Sequence, residues 1–325
     1  MKKRLKVILL MMTVLLLLLN GCQKANDVST DIRVGSLKGP TSIGLMRLME
    51  QASNKEAENN YTFTMETTAD ALLPLIIKGE LDIALVPANI ASILYQKTEG
   101  KISVIDMNTL WVLYMVSGVS SINSLDSLKG KTVYLTGKGT TPDYVIQYLL
   151  AQAGLTDEVT LEYKSEATEV AALLSKEPEN IGLLPQPFVT AALAQNDKLS
   201  IVLDLNKEWN ELQGEEGSSL VTGVTIVRNE FLEEHKEAVL KFMEEHETSA
   251  NYANEHTTET AKLVEEAGII EKAAIAETAI PYCNITYLDG TEAKTALEGY
   301  LQILFDQNPE SVGGELPKED FYYIP

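Results

Sequence analysis

Small hydroxyl-bearing residues cluster in short segments where a proline follows a run of residues typical of a β-strand. Gly39-Pro40-Thr41-Ser42 follows the first such run, and Thr140-Thr141-Pro142-Asp143 and Gln186-Pro187-Phe188 follow two later ones. Proline is favoured at the first position of a helix, where its missing N–H costs nothing. The hydroxyl groups beside it either cap the helix or bind a ligand. The chemistry that these segments offer is recognition of a small molecule through hydrogen bonds.

A glycine-rich segment in the second half of the chain matches the first proline loop in position. Gly137-Lys138-Gly139-Thr140-Thr141 stands after a predicted strand, as Gly35-Ser36-Leu37-Lys38-Gly39-Pro40 does near the start. The earlier segment lacks the Gly-Lys-Ser/Thr ending of a phosphate-binding P-loop, and the later one lacks the third glycine of a dinucleotide fingerprint. We therefore expect two loops, one from each half, that close on one small molecule other than a nucleotide.

The side chains that usually carry catalysis are few. The histidines His235, His246 and His256 each stand beside glutamates in charged helical segments, so we expect all three on solvated surfaces. Cys283 lies in an apolar Pro-Tyr-Cys-Asn-Ile context, which favours packing in the core over a nucleophilic role. The sequence predicts no catalytic residue, no metal site and no cofactor, and it favours a protein that is not an enzyme.

The residues alone are compatible with two classes of ligand. Aromatic residues make up 6% of the chain, so a large aromatic cage is not indicated. If Tyr114 and Tyr144 flank the cleft, a pyrimidine is favoured, whereas an inward Lys38 or Lys138 favours a sulfonate or a carboxylate. The candidates for stacking on a flat heterocycle, each with core or hinge packing as the alternative, are Trp111, Tyr114, Tyr144, Phe188, Trp209 and Tyr282.

Short β-rich runs alternate with helical stretches from residue 31 onward, which is typical of an α/β fold. The predicted strands are 32–36, 61–66, 82–87, 102–107, 111–117, 132–136, 159–163, 181–185, 200–205 and 221–227. The predicted helices are 40–53, 69–78, 88–96, 142–153, 166–176, 187–194, 229–248, 251–267 and 291–305. The pattern predicts two lobes, each a mostly parallel sheet flanked by helices.

The charge of the chain excludes one large class of partner. Its 325 residues include 47 Asp and Glu against 26 Lys and Arg, which gives a net charge of −21. Non-specific binding of nucleic acid needs a basic face that displaces counterions from phosphates. We therefore expect no nucleic-acid partner, and the acidic helices beyond residue 230 are expected to form a solvated exterior.

The N-terminal residues predict export. Four basic residues precede an uncharged apolar run over 7–19, which is too short for a comfortable membrane span, so 1–21 is predicted to be a signal peptide. Leu19-Asn20-Gly21-Cys22 resembles a bacterial lipobox, in which the cysteine is diacylated and becomes the mature N-terminus. Removal of 1–21 takes the net charge to −25 because the four basic residues leave with it. Residues 22–30 are predicted to be a flexible tether.

Together with this lipobox, several segments resemble the substrate-binding lipoproteins of ABC importers, in the branch that binds sulfonates, nitrate and thiamine-pyrimidine precursors. The resemblance covers nearly the whole chain, and the order and spacing of its segments are what make it specific. The segments are Val34-Gly35-Ser36-Leu37-Lys38-Gly39-Pro40-Thr41-Ser42, Leu81-Asp82-Ile83-Ala84-Leu85-Val86-Pro87-Ala88-Asn89, Leu125-Asp126-Ser127-Leu128-Lys129-Gly130-Lys131-Thr132-Val133, Leu184-Pro185-Gln186-Pro187-Phe188-Val189 and Ile280-Pro281-Tyr282-Cys283-Asn284-Ile285.

The resemblance implies a type II periplasmic-binding-protein fold, in which two lobes joined by hinge strands close over a solute. It implies lobe one over 31–115 plus 223–325 and lobe two over 116–222. Gln186 stands where many relatives have Glu, which leaves the charge of the ligand open. The predicted ligand-binding residues are Ser36, Lys38, Gly39, Thr41, Ser42, Asn89, Tyr114, Thr140, Thr141 and Gln186.

The resemblance also implies partners and a location. The partners would be a small-molecule solute, a membrane permease and the ATPase subunit that drives it. The protein would be a monomer held on the extracytoplasmic face of the cell membrane by lipid on Cys22. Because the same fold also includes enzymes, a fold-related enzyme or a ligand sensor without a transport role is the alternative.

Overall fold

Two β-sheets organise the chain in a computed structural model that describes residues 29–214 and 217–325. The predicted signal peptide and the predicted lipidation at Cys22 lie outside the described residues. Residues 31–325 form one compact unit. The strands, numbered in chain order, are β1 (Asp31–Leu37), β2 (Asn60–Glu66), β3 (Ile83–Pro87), β4 (Ile102–Thr109), β5 (Leu113–Ser117), β6 (Thr132–Leu135), β7 (Thr160–Tyr163), β8 (Ile181–Pro185), β9 (Ser200–Asp204), β10 (Gly223–Arg228) and β11 (Ile285–Leu288).

Helices connect the strands and cover the sheets. They are α1 (Pro40–Ile43), α2 (Met46–Ser53), α3 (Ala69–Ile77), α4 (Ala88–Lys97), α5 (Thr141–Gln152), α6 (Ala167–Lys176), α7 (Phe188–Gln195), α8 (Leu205–Gln213), α9 (Asn229–Glu234), α10 (Lys236–Glu255), α11 (Thr257–Glu266), α12 (Ala273–Ala279) and α13 (Gly290–Gln307). Short 3₁₀ helices lie at 125–128, 280–282, 309–312 and 319–321.

The first sheet has the strand order β11-β4-β10-β3-β1-β2, and the second has the order β7-β6-β8-β5-β9. The fold is α/β as predicted, but the sheets are mixed rather than mostly parallel. In the first sheet β10 runs antiparallel to both β3 and β4, and in the second β5 runs antiparallel to both β8 and β9. Both of these strands follow a passage of the chain from one sheet to the other, which reverses their direction relative to their neighbours.

The chain passes between the sheets at two places. It leaves the first sheet after β4 and enters the second at β5, so residues 110–112 make the first passage. It returns after α8, and residues 217–222 lead into β10. The predicted lobe boundaries, 31–115 plus 223–325 and 116–222, stay a prediction, although the pairing of Leu113 with Pro185 shows that β5 belongs to the second sheet from its first residue.

Burial follows the position of each strand in its sheet. Every residue of β4 is buried, and β3 is buried at all but its last residue, because helices cover both faces of these central strands. The edge strands β2 and β7 have no fully buried residue. The core therefore lies between the central strands and the helices, and the strand ends stay free to form a site.

Two predicted helices are each divided in the structure, and two helices and one strand were not predicted. The expected helix 40–53 divides at Gly44 and Leu45, and the expected 229–248 divides at His235. The structure adds β11, α8 and α12. The cap of α8 explains its start, because Asp204 Oδ1 accepts hydrogen bonds from the backbone N–H groups of Asn206 at 2.9 Å and Lys207 at 3.3 Å.

The C-terminal segment that follows α13 lies across α4 and the first sheet. The Ser92 hydroxyl donates to the carbonyl oxygen of Val312 at 2.7 Å. The Tyr323 N–H donates to the carbonyl oxygen of Val104 in β4 at 2.9 Å. These bonds fix the last residues of the chain to the body of the fold.

Candidate functional site

A cavity of about 410 Å³ lies where the two sheets turn their strand ends toward each other. The carboxyl ends of β1, β2 and β3 reach it from the first sheet, and those of β6, β7 and β8 reach it from the second. This is the edge where α/β sheets bind ligands, since helices begin there with unpaired N–H groups. Its lining consists of residues 37–41, 67–70, 136–138, 140–142 and 164–168 together with Pro87, Leu113, Pro185, Phe188 and Thr222.

The loop between β1 and α1 supplies one wall. Three of the predicted ligand-binding residues, Lys38, Gly39 and Thr41, line the cavity, and their contact with a ligand stays a prediction. The Thr41 hydroxyl donates to the carbonyl oxygen of Leu37 at 3.2 Å, which fixes its orientation while its lone pairs stay available. Ser42 lies behind this wall.

Ser36 and Ser42 bind each other rather than facing the cavity. The Ser42 hydroxyl lies 2.7 Å from the Ser36 hydroxyl and 2.6 Å from the carbonyl oxygen of Leu37, and both serines are buried. Neither belongs to the lining residues. Their contacts support the loop from below, and a direct ligand contact for either serine stays a prediction.

The opposite wall is the loop from Thr136 to Pro142, and its backbone is held at several points. Gly137 and Gly139 have φ angles of 73° and 75°, which non-glycine residues rarely adopt. The N–H and hydroxyl groups of Thr140 both donate to the carbonyl oxygen of Gly137, at 2.9 and 2.6 Å. The Gly139 N–H donates to Asp143 Oδ2 at 2.7 Å. Lys138, Thr140 and Thr141 therefore line the cavity from a rigid backbone.

Asp143 links this loop to the end of β7. Its Oδ1 accepts a hydrogen bond from the Tyr163 hydroxyl at 2.6 Å and another from the Gln147 amide. Burial and the bond to Asp143 raise the pKa of Tyr163 above its usual value, so the phenol stays protonated and keeps donating. The Lys138 ammonium group lies 5.3 Å from the centre of the Tyr163 ring, a cation–π distance.

Asn89 holds the glycine loop from the first sheet. Its side chain is fully buried at the start of α4, and its Nδ2 donates to the carbonyl oxygens of Gly139 at 3.0 Å and Ser311 at 3.2 Å. The Thr141 hydroxyl lies 3.5 Å from its Oδ1. Asn89 is not a lining residue. Its contacts hold the glycine loop in place, and a direct contact between Asn89 and a ligand stays a prediction.

Gln186 and Tyr114 also lie outside the lining. Gln186 is buried, and its Oε1 accepts hydrogen bonds from the N–H and hydroxyl groups of Thr190 at 3.2 and 2.9 Å. Tyr114 is half-buried, and burial raises its pKa to about 12. Because side chains alternate along a strand and Leu113 faces the cavity, Tyr114 points elsewhere. Ligand contacts of Gln186 and Tyr114 stay predictions.

Among the aromatic residues named as stacking candidates, Phe188 is the one found in the described lining. Trp209 is fully buried, and its indole N–H donates to the carbonyl oxygen of Ser218 at 2.7 Å. It packs between Tyr148 and Tyr300, with ring centres at 5.0 and 5.7 Å. Tyr282 is 57% exposed, outside the cavity. The aromatic wall for a heterocycle is therefore the ring of Phe188.

The charged residues at the cavity are three lysines and two carboxylates. Lys164 pairs with Glu162 at 2.6 Å, and Glu166 accepts a hydrogen bond from the Thr168 hydroxyl at 3.2 Å. In the described residues Lys38 and Lys138 make no ion pair. A net charge of −21 for the chain thus coexists with a local excess of positive charge in the cavity.

Sequence reasoning missed the segments after β2 and β7 and the residue Thr222. Residues 67–70 and 164–168 contain no proline, so the proline rule did not find them, although both stand between a strand and the start of a helix as the proline loops do. Thr222 precedes β10, and its buried hydroxyl has no hydrogen-bond partner among the described residues.

The prediction that all three histidines lie on solvated surfaces is wrong for His246. His235 and His256 are exposed, but His246 is fully buried on α10 with its Nδ1 3.1 Å from Asp106 Oδ2. Asp106 is also buried and accepts a hydrogen bond from the Thr225 hydroxyl at 2.6 Å. A buried carboxylate needs such partners, which explains why the imidazole faces inward.

Cys283 packs in the core as predicted. It is fully buried, and its thiol lies 3.4 Å from the carbonyl oxygen of Ala279. Burial raises the pKa of the thiol well above its usual value. Since the thiolate is the reactive form, Cys283 is chemically quiet in the folded protein.

Solved structures that share this arrangement of sheets include an ABC transporter protein and two periplasmic binding proteins. An ABC transporter protein from Parabacteroides distasonis is 28% identical, with a TM-score of 0.74, and the match covers 91% of this chain and 99% of that one. The aliphatic sulphonate-binding protein of Escherichia coli is 15% identical, with a TM-score of 0.70 and coverage of 91% and 92%. The nitrate-binding protein of Synechocystis is 11% identical, with a TM-score of 0.65 and coverage of 88% and 84%. The fold is therefore that of type II periplasmic binding proteins.

The chain belongs to the family described as menaquinone biosynthesis, whose model matches residues 32–306. Comparison with curated proteins gives no match. Among the described helices, none combines the length and the apolar character that a membrane crossing needs.

Proposed function

We propose that this protein is the extracytoplasmic solute receptor of an ABC importer. The observation that carries the proposal is the cavity of about 410 Å³ between two sheets, each of which presents strand ends and helix starts to it. A space of this size suits a small organic molecule. The solute classes are those favoured by the sequence, a thiamine-pyrimidine-like or a sulfonate-like compound.

In this proposal, residues 31–115 plus 223–325 and residues 116–222 form the lobes, and the passages at 110–112 and 217–222 act as the hinge. Thr41 from one wall and Thr140 from the other bind the solute as the lobes close. Both side chains line the cavity on backbones that are already fixed, so little ordering is needed on binding.

The proposal includes a membrane location and partners. Cleavage before Cys22 and its diacylation would hold the protein on the outer face of the cell membrane as a monomer. The loaded receptor would then deliver its solute to a permease and its ATPase. Two acyl chains give stable anchoring, whereas one chain gives marginal binding.

The test is calorimetry on the purified mature chain with thiamine pyrimidines, taurine, alkanesulfonates and nitrate. At least one compound is expected to bind and to be recovered unchanged. Thr41→Ala and Thr140→Ala are expected to weaken its binding about three- to tenfold, the value of one hydrogen bond each. Thr248→Ala is the matched control, because Thr248 makes the same bond to the carbonyl oxygen four residues earlier on an exposed helix face. Equal affinities for all four proteins would refute the site.

A second candidate is an enzyme, and the observation that favours it is the description of the matched family as menaquinone biosynthesis. Asp70 and Glu166 are the carboxylates that line the cavity and could exchange protons with a substrate. Mass spectrometry of each bound compound after incubation distinguishes the two functions. Conversion that is lost in Asp70→Asn or Glu166→Gln would establish the enzyme, and recovery of unchanged solute would favour the receptor.

A further inference from the structure

We infer that Lys38 and Lys138 form a clamp, contributed by both sheets, that binds an anionic group on the solute. The inference rests on the proposed function and narrows its solute class to organic anions such as sulfonates and carboxylates. Both lysines line the same cavity, one after β1 and the other after β6.

The two ammonium groups lack the partners that lysines at protein surfaces usually find. Lys164, the third lysine at the cavity, is paired with Glu162 at 2.6 Å. Within residues 29–214 and 217–325, neither Lys38 nor Lys138 makes an ion pair. Closure of the cavity would remove water from two like charges, which is unfavourable unless an anion pairs with them. The carboxylates Asp70 and Glu166 also line the cavity, but neither forms an ion pair with Lys38 or Lys138 in the described residues, so a solute that brings its own negative group is favoured.

Both lysines stand on backbones that the fold holds in place. The Lys38 N–H donates to the carbonyl oxygen of Glu66 at 2.8 Å, which fixes the residue to the end of β2. On each side of Lys138 the backbone of Gly137 and Gly139 is hydrogen-bonded to Thr140, Asp143 and Asn89. Long side chains lose less freedom on binding when their backbones are already ordered.

The residues around Lys138 hold its ammonium group in position without neutralising its charge. The ammonium group lies over the ring of Tyr163 at 5.3 Å, and a cation–π contact leaves its N–H groups free to donate to an anion. The helix α5, twelve residues long, begins at Thr141 in the same wall and adds the positive end of its dipole.

The rest of the cavity fits the body of an organic anion rather than a free inorganic ion. Leu37, Leu113, Pro185 and Phe188 provide apolar surface beside the two lysines. A solute with an anionic head and a short apolar or aromatic body would place its head between the lysines and its body on this surface. A neutral pyrimidine would leave both ammonium groups without a counter-charge.

The experiment compares two anions, ethanesulfonate and benzoate, with the neutral 4-amino-2-methylpyrimidine by calorimetry on the mature chain. At least one anion is expected to bind, more weakly as ionic strength rises, and the neutral compound is not. Lys38→Gln and Lys138→Gln are each expected to lower the affinity for the anion about tenfold, equivalent to about 1.4 kcal/mol. Lys129→Gln is the matched control and is expected to change it less than about twofold, because Lys129 lies outside the cavity lining and its charge is paired with Glu158 at 3.1 Å.

The outcomes separate this inference from the function on which it rests. Binding of the pyrimidine but of neither anion would overturn the clamp and leave a solute receptor. Binding of an anion with equal affinity in all three variants would overturn the clamp as well. If none of the three compounds binds, the clamp is rejected together with the solute classes of the proposed function. Conversion of a bound anion that still depends on both lysines would keep the clamp and reject the receptor.

Discussion

Asn89, at the start of α4, is bonded to Gly139 in the loop after β6: the buried side-chain amide of Asn89 donates to the backbone carbonyl oxygen of Gly139 over 3.0 Å. The same amide also donates to the carbonyl oxygen of Ser311 at 3.2 Å. One asparagine on the helix that follows β3 thus fixes the loop after β6 that carries Lys138 and Thr140. The position of that wall of the cavity depends on a side chain that does not line it.

Replacing Asn89 with Ala is expected to increase the local opening of this loop and to lower the free energy of unfolding of the whole protein only moderately. The variant loses two buried hydrogen bonds and leaves two carbonyl oxygens unpaired, which costs about 1–3 kcal/mol of unfolding free energy. Hydrogen exchange at residues 137–141 should become faster, while β4 stays protected. Asn60→Ala, which removes an exposed amide bonded to Asp31 at 3.0 Å, is the control. Unchanged exchange at 137–141 in Asn89→Ala would contradict the role assigned to Asn89.

The pair of His246 and Asp106 is expected to be a large contributor to stability. His246→Ala would leave a buried carboxylate without its imidazole partner, and such losses cost about 3–5 kcal/mol. Urea unfolding measures the change. His256→Ala, at an exposed histidine, should stay within about 0.5 kcal/mol. A loss below about 1 kcal/mol in His246→Ala would mean that Asp106 does not depend on the imidazole.

The buried thiol of Cys283 predicts a pH dependence of stability. Its pKa is raised by burial in the folded protein, whereas the unfolded thiol titrates near its ordinary value of about 8.5. Its contribution is therefore complete below about pH 8.5 and is lost as the pH rises from there toward the folded pKa, by up to about 1.4 kcal/mol per pH unit. Urea unfolding at pH 7 and at higher pH should show this slope in the parent but a shallower one in Cys283→Ala. Parallel slopes in the two proteins would argue against the shift.

The unpaired hydroxyl of Thr222 predicts an unusual response to mutation. Thr222→Val removes a buried polar group that has no partner in the described residues, so the free energy of unfolding of the ligand-free protein should stay unchanged or rise by about 1 kcal/mol. Thr225→Val is the matched control. Its hydroxyl donates to Asp106 at 2.6 Å and accepts from the Asn108 amide at 3.1 Å, so that change should cost about 1–3 kcal/mol. Equal losses in both variants would show that Thr222 has a partner after all.

The loops could be predicted because their signal is local. A proline in the first turn of a helix that follows a strand marked the walls that carry Thr41 and Thr141, and both residues line the cavity. The partners of Asn89 were beyond reach, since Gly139 and Ser311 stand 50 and 222 residues away in the chain. No local pattern distinguishes an amide that binds a ligand from one that holds a distant loop.

The burial of His246 could have been predicted from the helical period, but the charges of its neighbours in sequence pointed the other way. Its immediate neighbours are glutamates, which indicates a solvated position. Four residues earlier and four later, on the same helix face, stand Phe242 and Ala250, both buried. The helical period thus predicts burial where the adjacent charges do not. The strand β11 was also missed, although it is as long as β6 and β7, which were predicted.

The C-terminal segment helps to position the glycine loop of the cavity, because its Ser311 accepts a hydrogen bond from the same Asn89 amide that holds Gly139. Ser311 belongs to the segment after α13 that Val312 and Tyr323 bind to the body of the fold. Trimming this tail to improve crystallisation would remove the anchor of the asparagine that sets the glycine loop. Anyone who engineers this protein as a biosensor should therefore leave the tail intact and attach reporters elsewhere.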